Sequence, residues 1–194
     1  GLCLVGSEMC IRDRGFHDAL KPWKDRVLLS ASLVRQQWEG FEQVQLRRPW
    51  DESFQVGLSA FFIDAFGIVQ AVPGMVRLQE MLAPFPQPHP PPMAFLAADV
   101  TTSSVDNGID FLGPSGQIPV IPAWALGTQS EDFWQDKIVI IGSTAPSLGD
   151  QLETPFGQQS GSEVLLSAVA GLQSGRGFRG LDFVQLVAVV AVSY

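Results

Sequence analysis

Hydroxyl and carboxylate side chains collect between Gly142 and Gly157, where the chain reads GSTAPSLGDQLETPFG directly after an apolar run. The chemistry they offer is recognition by hydrogen bonding more than catalysis. A phosphate-cradling loop needs a lysine beside its last glycine, and none stands there; the glycines at 142, 149, 157 and 161 do not fall into the dinucleotide-binding spacing either. Ser143 and Ser160 lack the G-x-S-x-G setting of a hydrolase nucleophile, which also needs a histidine to take its proton. The chain has only His17 and His89, the first beside the N-terminal stretch and the second inside a proline run. Asp99, Asp106, Asp110, Asp150 and Glu153 crowd the second half, and hard cations accept oxygen ligands. EF-hand spacing is missing, however, and an acidic chain scatters carboxylates over its surface. Asp150 is first of all a turn residue, its oxygens suited to accepting backbone N–H groups. Beyond that role, Ser143, Thr144, Asp150 and Thr154 are the residues expected to bind a ligand. No catalytic residue, no metal ligand and no cofactor is assigned.

These side chains need a frame. Lys137 to Gly142 (KIVIIG) is the clearest strand: four consecutive apolar residues without alternation predict a central strand buried on both faces of a parallel or mixed sheet. Arg26 to Val34 reads as a buried strand after a helix. Ser53 to Ile63 and Ile68 to Leu78 read as adjacent strands around a turn through Gly67, and Gly108 to Pro114 as a further short strand. Ala83 to Met93 (APFPQPHPPPM) cannot be helix or central strand, because proline fixes φ and lacks a donor; it is a stiff surface connector. Ala94 to Ala98 can start a helix after it. Gly161 to Leu172 repeats Val164, Leu165, Ala168, Val169 and Leu172 at helical spacing. Strands alternating with helices predict an α/β layered domain with a central, mostly parallel or mixed sheet and flanking helices.

Charge narrows the partners. Twelve basic against 20 acidic residues give a net charge of -8, which repels phosphate backbones and excludes nucleic acid as a partner. Both ends stand apart from the rest. Residues 1–14 (GLCLVGSEMCIRDR) fit no later element, fail as a signal peptide for want of a basic start, and resemble the translation of a sequencing adapter. They are set aside as a non-native artefact, and with them go Cys3 and Cys10, the only cysteines. The domain is then expected over residues 15–178. Residues 181–194 (LDFVQLVAVVAVSY) carry few polar side chains and read as the truncated start of a transmembrane helix.

At the hydroxyl-rich segment a family resemblance becomes specific. Asp136 to Gly157 (DKIVIIGSTAPSLGDQLETPFG) resembles the hallmark block of the second class of CHASE sensor domains, the cyclase- and histidine-kinase-associated extracellular modules. There a strand ending in I-G-[ST]-[TS] is followed by a glycine, an aspartate and a T-P dipeptide, which here are Gly149, Asp150, Thr154 and Pro155. Phe62 to Arg77 is similar to the family's D-x-x-G-x-[VI]-x-x-[VI]-P block, and Ile109 to Pro114 to its I-x-[FY]-x-G-P strand. The family's helix start, P-G-V-E-[IV]-H-A, keeps Gly161 and Glu163 here but has Leu165 where the histidine would stand. The resemblance implies a non-catalytic sensor outside the membrane, followed by spans and a cytoplasmic cyclase, histidine kinase or Ser/Thr kinase. Its implied partners are a small-molecule or protein signal, the membrane through the C-terminal helix, and a second copy in a homodimer. Arg176 and Arg179 before the apolar end favour the cytoplasmic side by charge, so the orientation follows from the resemblance alone. The competing classes are a periplasmic metal-dependent or hydrolytic enzyme and a non-sensing dimerisation scaffold.

Overall fold

A computed structural model describes residues 3–5, 18–38, 41–47, 53–142 and 150–179. The strands are β1 (Cys3–Val5), β2 (Val27–Trp38), β3 (Phe41–Arg47), β4 (Gln55–Leu58), β5 (Phe62–Ile63), β6 (Val69–Val72), β7 (Asn107–Gly108), β8 (Val139–Ile141), β9 (Gln151–Thr154), β10 (Gly157–Ser160) and β11 (Phe178–Arg179). The α-helices that join them among the described residues include α1 (Met75–Leu82), α2 (Met93–Ala98), α3 (Glu131–Trp134) and α4 (Gly161–Gln173). The result is α/β, but the described strands form three small sheets where one layered sheet was expected.

The first sheet holds the parallel strands. β1 lies between β2 and β8 and parallel to both, β4 runs parallel to β2 along Leu28 to Ala31, and β3 pairs antiparallel with the later half of β2. Cys3–Val5 falls within the segment set aside as foreign, yet its short apolar run is laid between β2 and β8. The second sheet is antiparallel, in the order β11-β7-β6-β5, and β9 and β10 form a separate hairpin.

β8 departs from expectation. Among the described residues it pairs only with β1, so it is an edge strand, and its three residues are half-buried. Its side chains alternate as a strand requires. Ile138 and Ile140 pack on the main core and Ile141 on the opposite cluster of Val27, Leu29 and Phe54. Both faces are touched, as the unbroken apolar run implied, but neither is sealed.

The segment 68–78 is also divided. The strand stops at Val72 because Pro73 cannot donate to the ladder, and Gly74 begins α1 with Leu78 and Leu82 fully buried. β5 and β6 are adjacent around the turn, as read from sequence. Asp64 pins that turn, its Oδ1 accepting from Phe66 N (2.8 Å) and Ile68 N (2.9 Å), while Gly67 takes φ +83°. The hydrogen bond from Ile68 leads several that hold the Asp64 carboxyl below the usual range. This gives the D-x-x-G spacing a structural cause. Of Gly108 to Pro114 only the first residue is in a strand. The proline connector ends inside the protein, with Pro91 O accepting from Leu58 N (2.7 Å) before α2 begins.

The main core joins Leu28 of β2, Val69 and Val72 of β6, Met93 and Phe95 of α2, Ile109, and Val164, Leu165 and Val169 of α4. Each such side chain contributes about 1.5–3 kcal/mol on burial. α4 is thereby clamped between the two sheets, and its first turn is held where the parallel strands end.

Candidate functional site

Because β2, β4 and β8 run in one direction, their carboxyl ends share an edge, which is where open parallel sheets receive ligands. A cavity of about 240 Å³ lies there. Its polar lining is Ser30 and Ser32 of β2, Ser59 just past β4, Asp150, and Ser162 in the first turn of α4; Leu33, Met93, Ile140 and Leu165 supply the apolar part. The walls close tightly at two glycines. A Cβ on Gly161 would collide with the Asp150 carboxylate, and one on Gly142 with Ser162 Oγ.

Ser30 Oγ donates to Ala31 O (3.2 Å). Among the described residues, nothing hydrogen-bonds the hydroxyls of Ser32, Ser59 and Ser162, and nothing bonds or ion-pairs the Asp150 carboxylate. The Asp150 main chain is engaged, its carbonyl accepting from Gly161 N (3.1 Å). Asp150 is solvent-exposed as a residue, yet protein crowds one side of its carboxylate, and this partial desolvation pushes its pKa above the ordinary carboxylate range. The carbonyl thus takes one turn-closing bond, and the carboxylate meets no partner among the described residues.

Several polar groups in the neighbourhood are engaged, although Gln159 Oε1 is buried without a hydrogen-bond partner among the described residues. Thr154 is buried outside the cavity lining and closes the β9–β10 turn: its Oγ1 donates to Gly157 O (2.7 Å) and accepts from Phe156 N (3.2 Å). The structure does not bring Thr154 to Asp150's cavity, and Ser143 and Thr144 lie outside the described residues. Glu163, 8% exposed, completes a capping box with Ser160. Its carboxylate accepts from Ser160 N (3.0 Å), Ser160 Oγ (3.0 Å), Ser115 Oγ (2.9 Å) and Gly116 N (3.1 Å). Burial alone would raise its pKa, but the two N–H groups and two hydroxyls outweigh that and hold the carboxyl below its usual value. Gln159 Nε2 to Gly113 O (2.5 Å) and Leu112 N to Ser167 Oγ (3.4 Å) fasten the same loop.

The carboxylates considered for a cation are dispersed. Asp106 pairs with Arg77 (2.5 Å), Asp110 with Arg176 (3.4 Å), and Glu153 accepts from Gln158 (2.8 Å). Among the described residues no three acidic, histidine or cysteine side chains group as a metal site. His89 is tied to Phe85 O (3.0 Å) in the proline connector. A larger cleft, about 580 Å³, opens between Trp23, Arg26, Trp134 and Lys137 at the amino ends of β2 and β8. It sits at the end of a parallel sheet that ligands seldom use.

Four cavity serines escaped the sequence reading, although Ser30 and Ser32 carried a signal. In the run LLSASLV, period two places both hydroxyls on one face of an otherwise apolar strand. Glu163 was legible as well, since Ser160-Gly161-Ser162-Glu163 before an apolar run is a capping-box pattern.

A small polar crevice at the strand ends of an α/β frame has the architecture of a binding module. The family pattern described as the CHASE2 domain matches residues 11–193, nearly the whole chain. The chain therefore belongs to the CHASE2 family, whose members are extracellular sensor domains and not catalysts. No curated protein matches the chain. No solved structure matches it. Among the described residues no helix is long and apolar enough to cross a membrane, and residues 181–194 lie outside them.

The desolvation of the Asp150 carboxylate has a measurable consequence. A folded-state pKa raised above the unfolded value of about 3.9 means that the charged form is disfavoured by folding, so stability is lost as pH rises through the folded pKa. Asp150→Asn removes that loss. The variant is expected to melt at or above the wild-type temperature at pH 7, with any advantage gone below about pH 3.9. Thermal melts at the two pH values check this, and a lower melting temperature at pH 7 contradicts it.

Proposed function

We propose that this domain receives an extracytoplasmic signal in the cavity beside Asp150 and passes it across the membrane. It acts as the sensor of a receptor with a cyclase, histidine kinase or Ser/Thr kinase output. The observation that carries the reading is a cavity onto which three hydroxyls and one carboxylate face with no partner among the described residues, while Thr154, Ser160 and Glu163 nearby are engaged in turns and caps. In this reading residues 15–178 are the sensor unit, 1–14 are a foreign extension of which Cys3–Val5 pairs with β2 and β8, and 181–194 open the first span.

α4 is the element able to transmit. Ser162 at its start lines the cavity, its 13 residues span about 20 Å at 1.5 Å each, and the chain continues through β11 toward residue 181. Coupling requires such a continuous element with two arrangements of similar energy. A ligand preferring one arrangement a hundredfold shifts the balance by about 2.8 kcal/mol, enough to invert a small bias.

Filling the cavity tests this. In membranes carrying the whole gene product, Ser59→Trp is expected to abolish the signal-dependent change in output activity while leaving the protein folded and inserted. An undiminished response overturns the reading.

A further inference from the structure

We infer that the ligand received in the Asp150 cavity is a small organic ammonium ion, an amine of a few carbons that also carries hydroxyl groups. This rests on the proposed reception site and adds the chemistry of its occupant. Charge gives the first argument. Among the described residues of the lining Asp150 is the only ionisable one, and the chain as a whole carries -8. Anions are repelled from such a site, whereas an ammonium group supplies the missing countercharge.

The helix start beside the cavity would ordinarily favour an anion. Here that preference is already answered within the protein. Ser160 Oγ accepts from Glu163 N (3.3 Å), the Glu163 carboxylate is seated on Ser160 N (3.0 Å), and the Asp150 carbonyl takes Gly161 N (3.1 Å). The turn thus presents Ser162 Oγ, and not a row of bare N–H groups.

The remaining groups set the rest of the ligand. An ammonium has three donors and no acceptor, so one carboxylate and neighbouring hydroxyl oxygens suit it. The hydroxyls of Ser32 and Ser59 left over can exchange hydrogen bonds with ligand hydroxyls. Leu33, Met93, Ile140 and Leu165 cover a short carbon stem. A cavity of about 240 Å³ falls below the roughly 300–1,000 Å³ of drug-sized sites, so the occupant is small. A divalent metal fits poorly, since calcium takes six to eight oxygens, several of them carboxylate or carbonyl.

Isothermal titration of the full chain with serinol (2-amino-1,3-propanediol), glycerol and calcium chloride tests the inference. Serinol is expected to bind once per chain, at least tenfold more tightly than glycerol. Asp150→Asn should weaken serinol on the order of tenfold to a hundredfold, as loss of a charged hydrogen-bond partner does, and leave glycerol unchanged. Ser162→Trp and Ser59→Trp, each checked for folding by circular dichroism, should abolish serinol binding. The ammonium assignment is overturned if glycerol equals serinol, if Asp150→Asn leaves serinol unaffected, if calcium binds in its place, or if serinol does not bind. In the first two cases the reception site itself still stands, provided the tryptophan variants remove binding. If both folded tryptophan variants bind serinol like the wild type, the site is elsewhere and the proposed function fails with the inference.

Discussion

Glu163→Ala is expected to lower the melting temperature of this domain by roughly 10 °C, a loss on the order of 3–5 kcal/mol at 2–4 °C per kcal/mol for a chain of this size. The carboxylate is buried and accepts four hydrogen bonds from two separate parts of the chain. Truncation removes the reciprocal half of the capping box, strands Ser115 Oγ and Gly116 N, and leaves a void where the side chain lay. Glu163→Gln keeps the volume, but its amide nitrogen must face N–H donors, so it should recover only part of the loss. The pH dependence carries a second signature. With the folded pKa held below the unfolded value of about 4.3, the stabilisation is complete above that pH and is lost as pH falls through the folded pKa. Wild type should therefore lose stability on acidification below about pH 4.3, and Glu163→Ala should flatten that slope. Calorimetry from pH 3 to 7 checks both, and a shift of under 2 °C at pH 7 would remove Glu163 from the centre of the fold.

Gly74→Ala is expected to cost about 3 kcal/mol, at the upper end of overpacking penalties. A methyl group there would be forced into the main chain of Ser104 and Val105, lying 2.6 Å from Ser104 O. That contact belongs to a seam in which Met75 N reaches Ser103 O (2.8 Å), Val76 N reaches Ser104 O (3.3 Å) and Gly74 N reaches Asp106 Oδ1 (2.9 Å), with Asp106 also paired to Arg77. Backbone cannot yield as a flexible side chain does, so the seam must open. Gly127→Ala is the control: nothing lies within 4 Å of its added carbon, and it should change stability by less than about 0.5 kcal/mol. Urea unfolding separates the two, the Gly74 variant showing a lower midpoint at unchanged slope. Equal midpoints would refute the seam.

Local signals in the sequence were read well where one physical rule dominates. The proline connector, the helix from Gly161, and the Asp64–Gly67 turn follow from missing donors, 3.6-residue periodicity and left-handed glycine conformation. β8 was misplaced because an unbroken apolar run reports that both faces are touched, not how many strands flank it; that depends on partners distant in sequence. The division of 68–78 into strand and helix was marked by Pro73-Gly74, which apolar continuity concealed. Within the site, Asp150 was legible from its loop after β8. Ser59 was not, since its place at the cavity follows only from the parallel pairing of β4 with β2.

The turn from Ser160 to Glu163 does more than start a helix. Ser160 and Glu163 hold the fold together, while Gly161 and Ser162, the two residues between them, form one wall of the cavity. Gly161 cannot gain a side chain without displacing Asp150, and Gly142 fixes how near Ser162 may come. Mutational drift at this wall is therefore paid in stability. The facing wall, Ser32 and Ser59, bears no comparable structural duty among the described residues, and substitutions there can change size and polarity at little cost. Diversification of specificity among sensors built this way should thus run through the strand wall, with the helix wall inherited nearly unchanged.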